Sequence, residues 1–121
     1  MTRILLVDDD ESFRPMLHAT LERCGYEVVT AMNGKEALAR YGQQEVDLVI
    51  TDLIMPDKEG LETIVELRRQ APGVKIIAMS GGGRNNPRAY LHMAKQFGAV
   101  GVLPKPFSTQ ELLDAINVAL A

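Results

Sequence analysis

Cysteine is nearly absent from this chain, which contains one, Cys24, and tryptophan is missing altogether. A single cysteine excludes an internal disulfide and a four-cysteine zinc site, and it suits a reducing compartment. No apolar run approaches the about 20 residues that a membrane-spanning helix needs. The first residues, Met1 to Arg3, lead straight into a predicted strand rather than into a signal peptide. We therefore expect a cytoplasmic protein that makes no membrane association.

The chain also lacks a strong excess of charge of either sign. Its formal net charge is −3 at pH 7 and its sequence pI is about 5.3. Neither value favours nucleic-acid binding by this domain itself. The length of 121 residues, 46% of them hydrophobic, fits one compact domain over residues 1–121.

What the sequence does contain is a repeated alternation of short apolar runs with amphipathic stretches. The runs are predicted to be strands buried on both faces, and the stretches are predicted to be helices. The methionines are predicted to fill gaps in the core. The predicted strands are residues 3–8, 26–31, 47–51, 74–79 and 100–104.

Local signals mark the ends of the predicted helices. Gly25 is expected to end the first helix, and Asn33 to open the second. Pro87 suits the first turn of the fourth helix. Ser108 and Glu111 have the spacing of a capping box at the start of the fifth.

Regular strand–helix alternation predicts a parallel sheet with helices on both faces and right-handed crossovers. In such sheets the functional crevice lies at the carboxyl ends of the strands. Side chains with reactive groups stand at these ends in four of the predicted strands, and we expect them to converge on one edge of the sheet. They are Asp8, Asp9 and Asp10 at the end of the first strand, Asp52 at the end of the third, Ser80 at the end of the fourth and Lys105 at the end of the fifth.

Carboxylates crowded in this way repel one another unless a cation offsets their charge. Lys105 offsets one charge, and several hard oxygen ligands suit Mg²⁺, which takes only one or two protein carboxylates. Asp9 and Asp52 are the predicted direct ligands, and Asp8 is predicted to help through water. A carboxylate can attack phosphorus and form an acyl phosphate, so Asp52 is the predicted phosphoryl acceptor. Lys105 would then neutralise phosphate oxygens, and Ser80 would donate a hydrogen bond to one of them.

Four segments in a fixed order carry a resemblance to a known family. They are "ILLVDDDE", "VDLVITDLIMPDKEG", "IIAMSGG" and "GAVGVLPKPF". Together they resemble the receiver domains of two-component response regulators, and the similarity covers the whole chain. The resemblance implies an α/β fold, the flavodoxin-like three-layer sandwich with parallel strand order 2-1-3-4-5.

The resemblance also implies a role for each residue of the predicted site. It makes Asp52 the phosphoacceptor, Ser80 the switch hydroxyl and Lys105 the lysine that pairs with the phosphate. The Mg²⁺ ligands that it implies are Asp8, Asp9, Asp52 and the main-chain carbonyl of Ile54.

The function implied by the resemblance is a phosphorylation-dependent signalling switch. The phosphoryl donor would be a sensor histidine kinase or a histidine phosphotransfer protein, and the signal would pass to a downstream protein or a fused output domain. The chain would catalyse only its own phosphoryl transfer and dephosphorylation, so it would not be an enzyme in the usual sense, and a homodimer is compatible with the family. One departure from the family is Val102, which stands where receivers usually carry tyrosine or phenylalanine.

Other functions stay open at this point. A magnesium-dependent phosphohydrolase could use Asp52 as its nucleophile, but haloacid-type phosphatases place a second aspartate where this chain has Ile54. A flavodoxin-like cofactor carrier is disfavoured because the acidic strand ends would repel a flavin phosphate. A receiver-type interaction module that works without phosphorylation stays open because of Val102.

Overall fold

A computed structural model describes residues 1–53, 59–81 and 87–121, with the main chain only for residues 59, 81 and 87–91. Among these residues, no helix has the length and hydropathy that crossing a membrane requires. Strands and helices alternate along the chain. They are β1 (Arg3–Val7), α1 (Phe13–Arg23), β2 (Glu27–Ala31), α2 (Gly34–Gln43), β3 (Leu48–Asp52), α3 (Glu59–Gln70), β4 (Ile76–Gly81), α4 (Pro87–Gln96), β5 (Gly101–Lys105) and α5 (Thr109–Leu120).

The strands form a five-stranded sheet in the order β2-β1-β3-β4-β5, and all the pairings are parallel. Because successive side chains of a strand point to opposite faces, β1 contributes to two separate cores. Ile4 and Leu6 pack in one apolar cluster with side chains of α1 and α5, whereas Leu5 and Val7 pack in the other with side chains of α2, α3 and α4. The predicted three-layer fold and strand order are confirmed.

Burial differs between the central and the edge strands. All residues of β3 are buried, and in β1 only Arg3 is not. β2 and β5 are partly exposed over most of their length. The prediction that all strands are buried on both faces is therefore wrong for these two, because a strand at the edge of a sheet has a neighbour on one side only.

The boundaries of β3 and β4 differ from the predicted ones in a way that matters for the site. β3 extends to Asp52, one residue beyond its predicted end, and β4 spans Ile76–Gly81 rather than 74–79. In the resulting register Asp52 lies opposite Met79, and Ser80 lies opposite Pro104. Ser80 is therefore the second-last residue of β4, close to the predicted end of that strand.

The predicted helix ends are confirmed. Gly25 follows α1 with φ +94°, a left-handed conformation that glycine adopts without steric cost. The Asn33 side chain accepts a hydrogen bond of 2.8 Å from the Glu36 amide at the start of α2. Ser108 and Glu111 form the reciprocal capping box of α5, with bonds of 2.9 and 3.0 Å.

The methionines only partly follow the prediction. Met79 is fully buried in the core, but Met16, Met32 and Met93 are exposed. The prediction of a gap-filling role is wrong for these three. On α1 the reason is visible, since Leu17 and Leu21 already supply the buried positions of that helix.

Gly60, in the first turn of α3, lies against the carboxyl end of β3. A Cβ atom at this position would stand 2.5 Å from the Cα atom of Leu53 and 2.7 Å from the main-chain oxygen of Asp52. These are main-chain atoms, which cannot rotate away as the end of a side chain can. Glycine is therefore required here for the close approach of α3 to the strand end that carries Asp52.

We expect Gly60→Ala to lower the free energy of unfolding by about 1 to 3 kcal/mol, because the added methyl group displaces the main chain at Leu53. Gly42→Ala is the matched control, since a Cβ atom there has no neighbour within 4 Å. In α2, alanine in place of glycine should stabilise the protein by about 0.5 to 1 kcal/mol. Urea unfolding followed by circular dichroism measures both, and equal effects of the two substitutions would contradict the close-approach interpretation.

Candidate functional site

Three carboxylates lie together at the carboxyl edge of the sheet. Asp8 and Asp9 directly follow β1, and Asp52 is the last residue of β3, its neighbour in the sheet. One oxygen from each carboxylate can be chosen so that all three lie within 4.8 Å of one another. Asp8 and Asp52 are buried, whereas Asp9 is accessible to solvent. The predicted convergence of these three side chains is what the structure shows.

The Lys105 ammonium group reaches this cluster from the end of β5. Its Nζ atom lies 3.2 Å from Asp8 Oδ2 and 3.7 Å from Asp52 Oδ1. A buried carboxylate such as Asp8 is tolerated only with a charged or hydrogen-bonded partner, which Lys105 provides. Three carboxylates and one ammonium leave a formal charge of −2 in the cluster, and a divalent cation would neutralise that charge.

Asp8 makes hydrogen bonds through both its side chain and its main chain. Its Oδ1 atom accepts a hydrogen bond of 2.9 Å from the Asp10 amide, while Oδ2 faces Lys105. The Arg14 guanidinium donates to the Asp8 carbonyl oxygen at 2.8 Å, and the Arg14 charge is matched by Glu11, also at 2.8 Å. Both carboxylate oxygens of Asp8 therefore have a polar contact within the described part of the chain.

Asp10 is not part of the cluster. Its carboxylate accepts hydrogen bonds from the Ser12 amide at 2.8 Å and from the Phe13 amide at 2.9 Å, at the start of α1. These bonds, that from Phe13 first, lower the pKa of Asp10 below its ordinary value of 3.8. Ser12 makes no side-chain capping bond, so Asp10 does the capping of α1 in its place. Asp10 therefore serves at the start of α1, although it follows the first strand together with Asp8 and Asp9.

The hydroxyl groups of Thr51 on β3 and Ser80 on β4 differ in whether they make a hydrogen bond. The Thr51 hydroxyl donates to the Asp52 main-chain oxygen at 3.1 Å. Ser80 is fully buried, and its hydroxyl has no hydrogen-bond partner within the described part of the chain. A buried hydroxyl without a partner is costly, so this one is in a state that a suitable acceptor would stabilise.

Two further residues singled out in the sequence, Ile54 and Val102, are not part of the cluster that the structure describes. Ile54, whose carbonyl the resemblance makes a metal ligand, lies outside the described residues. Val102 lies opposite Ala78 and is partly buried against the apolar cluster beneath α2, α3 and α4.

Sequence reasoning missed one aromatic contact of the site. The Phe13 ring lies under the Lys105 ammonium, with Nζ 4.1 Å from the ring centroid. Phe107 meets the Phe13 ring edge to face at 6.1 Å. The available signal was the position of the two rings in the chain, one in the first turn after the acidic run and one two residues after Lys105.

Comparison with known proteins identifies the family. A family model of the response regulator receiver domain matches residues 4–117. The chemotaxis protein CheY of Thermotoga maritima is 35% identical over 116 residues, which are 95% of this chain and 94% of that protein. The crystal structure of a response regulator receiver domain protein from Clostridium thermocellum superposes with a TM-score of 0.90 at 31% identity, over 99% of this chain and 94% of the other. The chain belongs to the response regulator receiver domain family, as the resemblance predicted.

Other relatives are much longer than this chain. The DNA-binding transcriptional regulator NtrC of Azospirillum brasilense is 37% identical over 117 residues, which are 97% of this chain but 24% of that protein. Receiver sequences of this kind therefore occur both in proteins of this size and within larger regulators.

We expect Ser80→Ala to raise the free energy of unfolding by about 1 kcal/mol in the metal-free, unphosphorylated protein, because it removes a buried hydroxyl that has no partner among the described residues. Thr51→Val is the matched control. It removes a hydroxyl that does make a hydrogen bond, and it should cost about 1 kcal/mol. Urea unfolding without Mg²⁺ measures both, and a clear loss of stability in Ser80→Ala would show that its hydroxyl is already satisfied.

The Asp10 cap predicts a pH dependence of stability. Because the folded state lowers the pKa of Asp10, the contribution of the carboxylate is fully present above its ordinary pKa and is lost as the pH falls through the lowered value. Asp10→Asn keeps an acceptor oxygen but cannot titrate, so its stability should fall less steeply than that of the wild type between about pH 5 and about pH 2. Asp114→Asn, which removes an exposed carboxylate from α5, is the control for loss of one surface charge. If both variants flatten the curve equally, the cap is not the cause.

Proposed function

We propose that residues 1–121 form one receiver domain that accepts a phosphoryl group on Asp52 in the presence of Mg²⁺, and that it acts as a switch in a two-component system. The observation that carries the proposal is the cluster at the sheet edge. It joins a buried aspartate, two further carboxylates within 4.8 Å and a lysine ammonium 3.7 Å from Asp52. Membership of the receiver family supports the same conclusion.

The residues present fit a magnesium ion. Asp9 and Asp52 would hold it directly, and Asp8, whose Oδ2 atom lies 3.2 Å from the Lys105 ammonium, would act through water. The main-chain carbonyl of Ile54 completes the proposed ligand set. When bound, Mg²⁺ supplies positive charge that offsets both the crowded carboxylates and the charge on the phosphoryl oxygens.

In the proposed reaction an Asp52 carboxylate oxygen attacks the phosphorus of a phosphohistidine on the donor protein. The new O–P bond forms as the N–P bond breaks, and the imidazole nitrogen keeps the electron pair and takes up a proton from solvent. Lys105 stands where it can neutralise phosphoryl oxygens as a point charge. The chain's contribution is therefore placement and electrostatics rather than turnover of a separate substrate.

The switch follows from the change at Ser80. Phosphorylation of Asp52 adds about −1.5 to −2 of charge and several strong acceptor oxygens. The Ser80 hydroxyl, which has no partner in the described part of the unphosphorylated protein, would gain one. A movement of Ser80 would shift the end of β4, and a partner would read that shift.

The proposed partners follow from the chemistry and from the family. The donor is a sensor histidine kinase or a histidine phosphotransfer protein, and the recipient of the signal is a downstream protein or an output domain of the same chain. We place the protein in the cytoplasm, where such donors present their phosphohistidine, and a homodimer is compatible with the switch.

We expect uptake of one phosphoryl group when the protein is incubated with acetyl phosphate and Mg²⁺, seen by intact-protein mass spectrometry as an acid-stable, base-labile adduct. Asp52→Asn should abolish the adduct because it removes the nucleophilic oxygen, and a chelator of Mg²⁺ should abolish it in the wild type. Asp114→Asn is the matched control and should be phosphorylated normally.

Two outcomes would contradict the proposal. Uptake that survives in Asp52→Asn would place the modification elsewhere. Release of many phosphate ions per protein molecule, without a lasting adduct, would favour the phosphohydrolase over the switch.

A further inference from the structure

The Lys105 ammonium has an aromatic neighbour in addition to its two carboxylates. Nζ lies 4.1 Å from the centroid of the Phe13 ring, well inside the about 6 Å within which a cation is attracted by an aromatic face. The Lys105 side chain is only 20% exposed, so water weakens this attraction less than at an open surface.

Phe13 is held in place by contacts of its main chain and of its ring. Its main-chain amide donates to the Asp10 cap at 2.9 Å, which fixes the first turn of α1. Its ring meets Phe107 edge to face, with ring planes at 87°, and both rings pack against the apolar cluster shared by α1 and α5. The ring is therefore a fixed surface against which the flexible lysine stem can settle.

We propose that Phe13 is a positioning residue of the phosphoryl site, which holds the Lys105 ammonium over its ring so that the ammonium faces Asp8 and Asp52 before a phosphoryl group arrives. The proposal rests on the proposed function in so far as it concerns phosphoryl uptake. Lysine has a compact charge on a flexible four-carbon stem, and its charge helps a reaction most when it is placed in advance.

The two carboxylates do not fix the ammonium by themselves. Nζ is within hydrogen-bonding distance of Asp8 at 3.2 Å but stands further from Asp52, at 3.7 Å. Attraction to Asp8 alone leaves the ammonium free to pivot about that contact. The ring supplies a second, differently directed attraction, and the two together define a position from which the Asp52 oxygens are within short reach.

The test is to replace Phe13 by mono-, di- and trifluorophenylalanine in the full chain. Fluorine withdraws electron density from the ring face with little change in size, so cation attraction weakens stepwise while packing is kept. The same series at Phe107 is the matched control, because this ring packs against Phe13 and is not the ring over which the ammonium lies.

Two quantities are measured for each protein. The first is the exchange and mobility of the Lys105 ammonium by nitrogen-15 NMR in the unphosphorylated protein, which requires no activity. The second is the rate of phosphoryl uptake from acetyl phosphate. We expect stepwise faster ammonium exchange along the Phe13 series and an uptake rate about fivefold lower at its end, from the size of a partly buried cation–π contact. The Phe107 series should change neither by more than about twofold.

Ammonium exchange and uptake that stay constant along the Phe13 series would overturn the proposal, and so would equal trends in both series, which would indicate packing alone. If the wild type takes up no phosphoryl group, the proposed function fails, and the NMR series still decides whether Phe13 holds Lys105.

Discussion

The pairing of β1 with β3 places two carboxylates of like charge, those of Asp8 and Asp52, next to each other at the sheet edge, and the rest of the site depends on this arrangement. Val7 and Thr51 are register partners in neighbouring parallel strands, so the residues that follow them, Asp8 and Asp52, come to lie side by side at the sheet edge. Neither can move away, because β1 and β3 are central strands and almost wholly buried. The repulsion must therefore be met by a cation brought to the site, and Lys105 is the lysine that the described fold delivers there.

The contact between Lys105 and Asp52 depends on β4, the strand that lies between β3 and β5. β5 is separated from β3 by β4, so the Lys105 side chain has to cross the end of β4 to reach Asp52. The residue paired with Lys105 on β4 is Gly81, which has no side chain to obstruct the crossing. Next to it stands Ser80, whose hydroxyl has no partner in the described residues. The end of β4 thus leaves room for the Lys105 side chain at Gly81, and at Ser80 it carries a hydroxyl that could donate a hydrogen bond to a phosphoryl oxygen.

Much of this arrangement could be predicted from the sequence because it depends on local patterns. The alternation of apolar runs and helical stretches gives the fold, and topology alone brings Asp8, Asp52 and Lys105 to one edge. Sequence patterns do not predict the exposure of a residue where that exposure depends on residues distant in the chain. The exposure of β2 and β5 depends on strand order. The exposure of Met16 depends on which other side chains of α1 occupy the buried positions. Phe13 could be placed on the inward face of α1 by periodicity, but its contact with Lys105 joins segments that only the folded chain brings together.

The departure at Val102 bears on how a signal can leave the site. Side chains alternate along a strand, so Ala78 and Ser80 share a face of β4, and Val102 lies opposite Ala78 on that face. Val102 packs against the same apolar cluster as Ala94 of α4. A valine has a restricted χ1 angle, and it has no ring to swing between a buried and an exposed position. In the proposed switch, a displacement of Ser80 would therefore reach α4 through the packing of these small side chains, as a shift of the helix and not as the rotation of an aromatic ring.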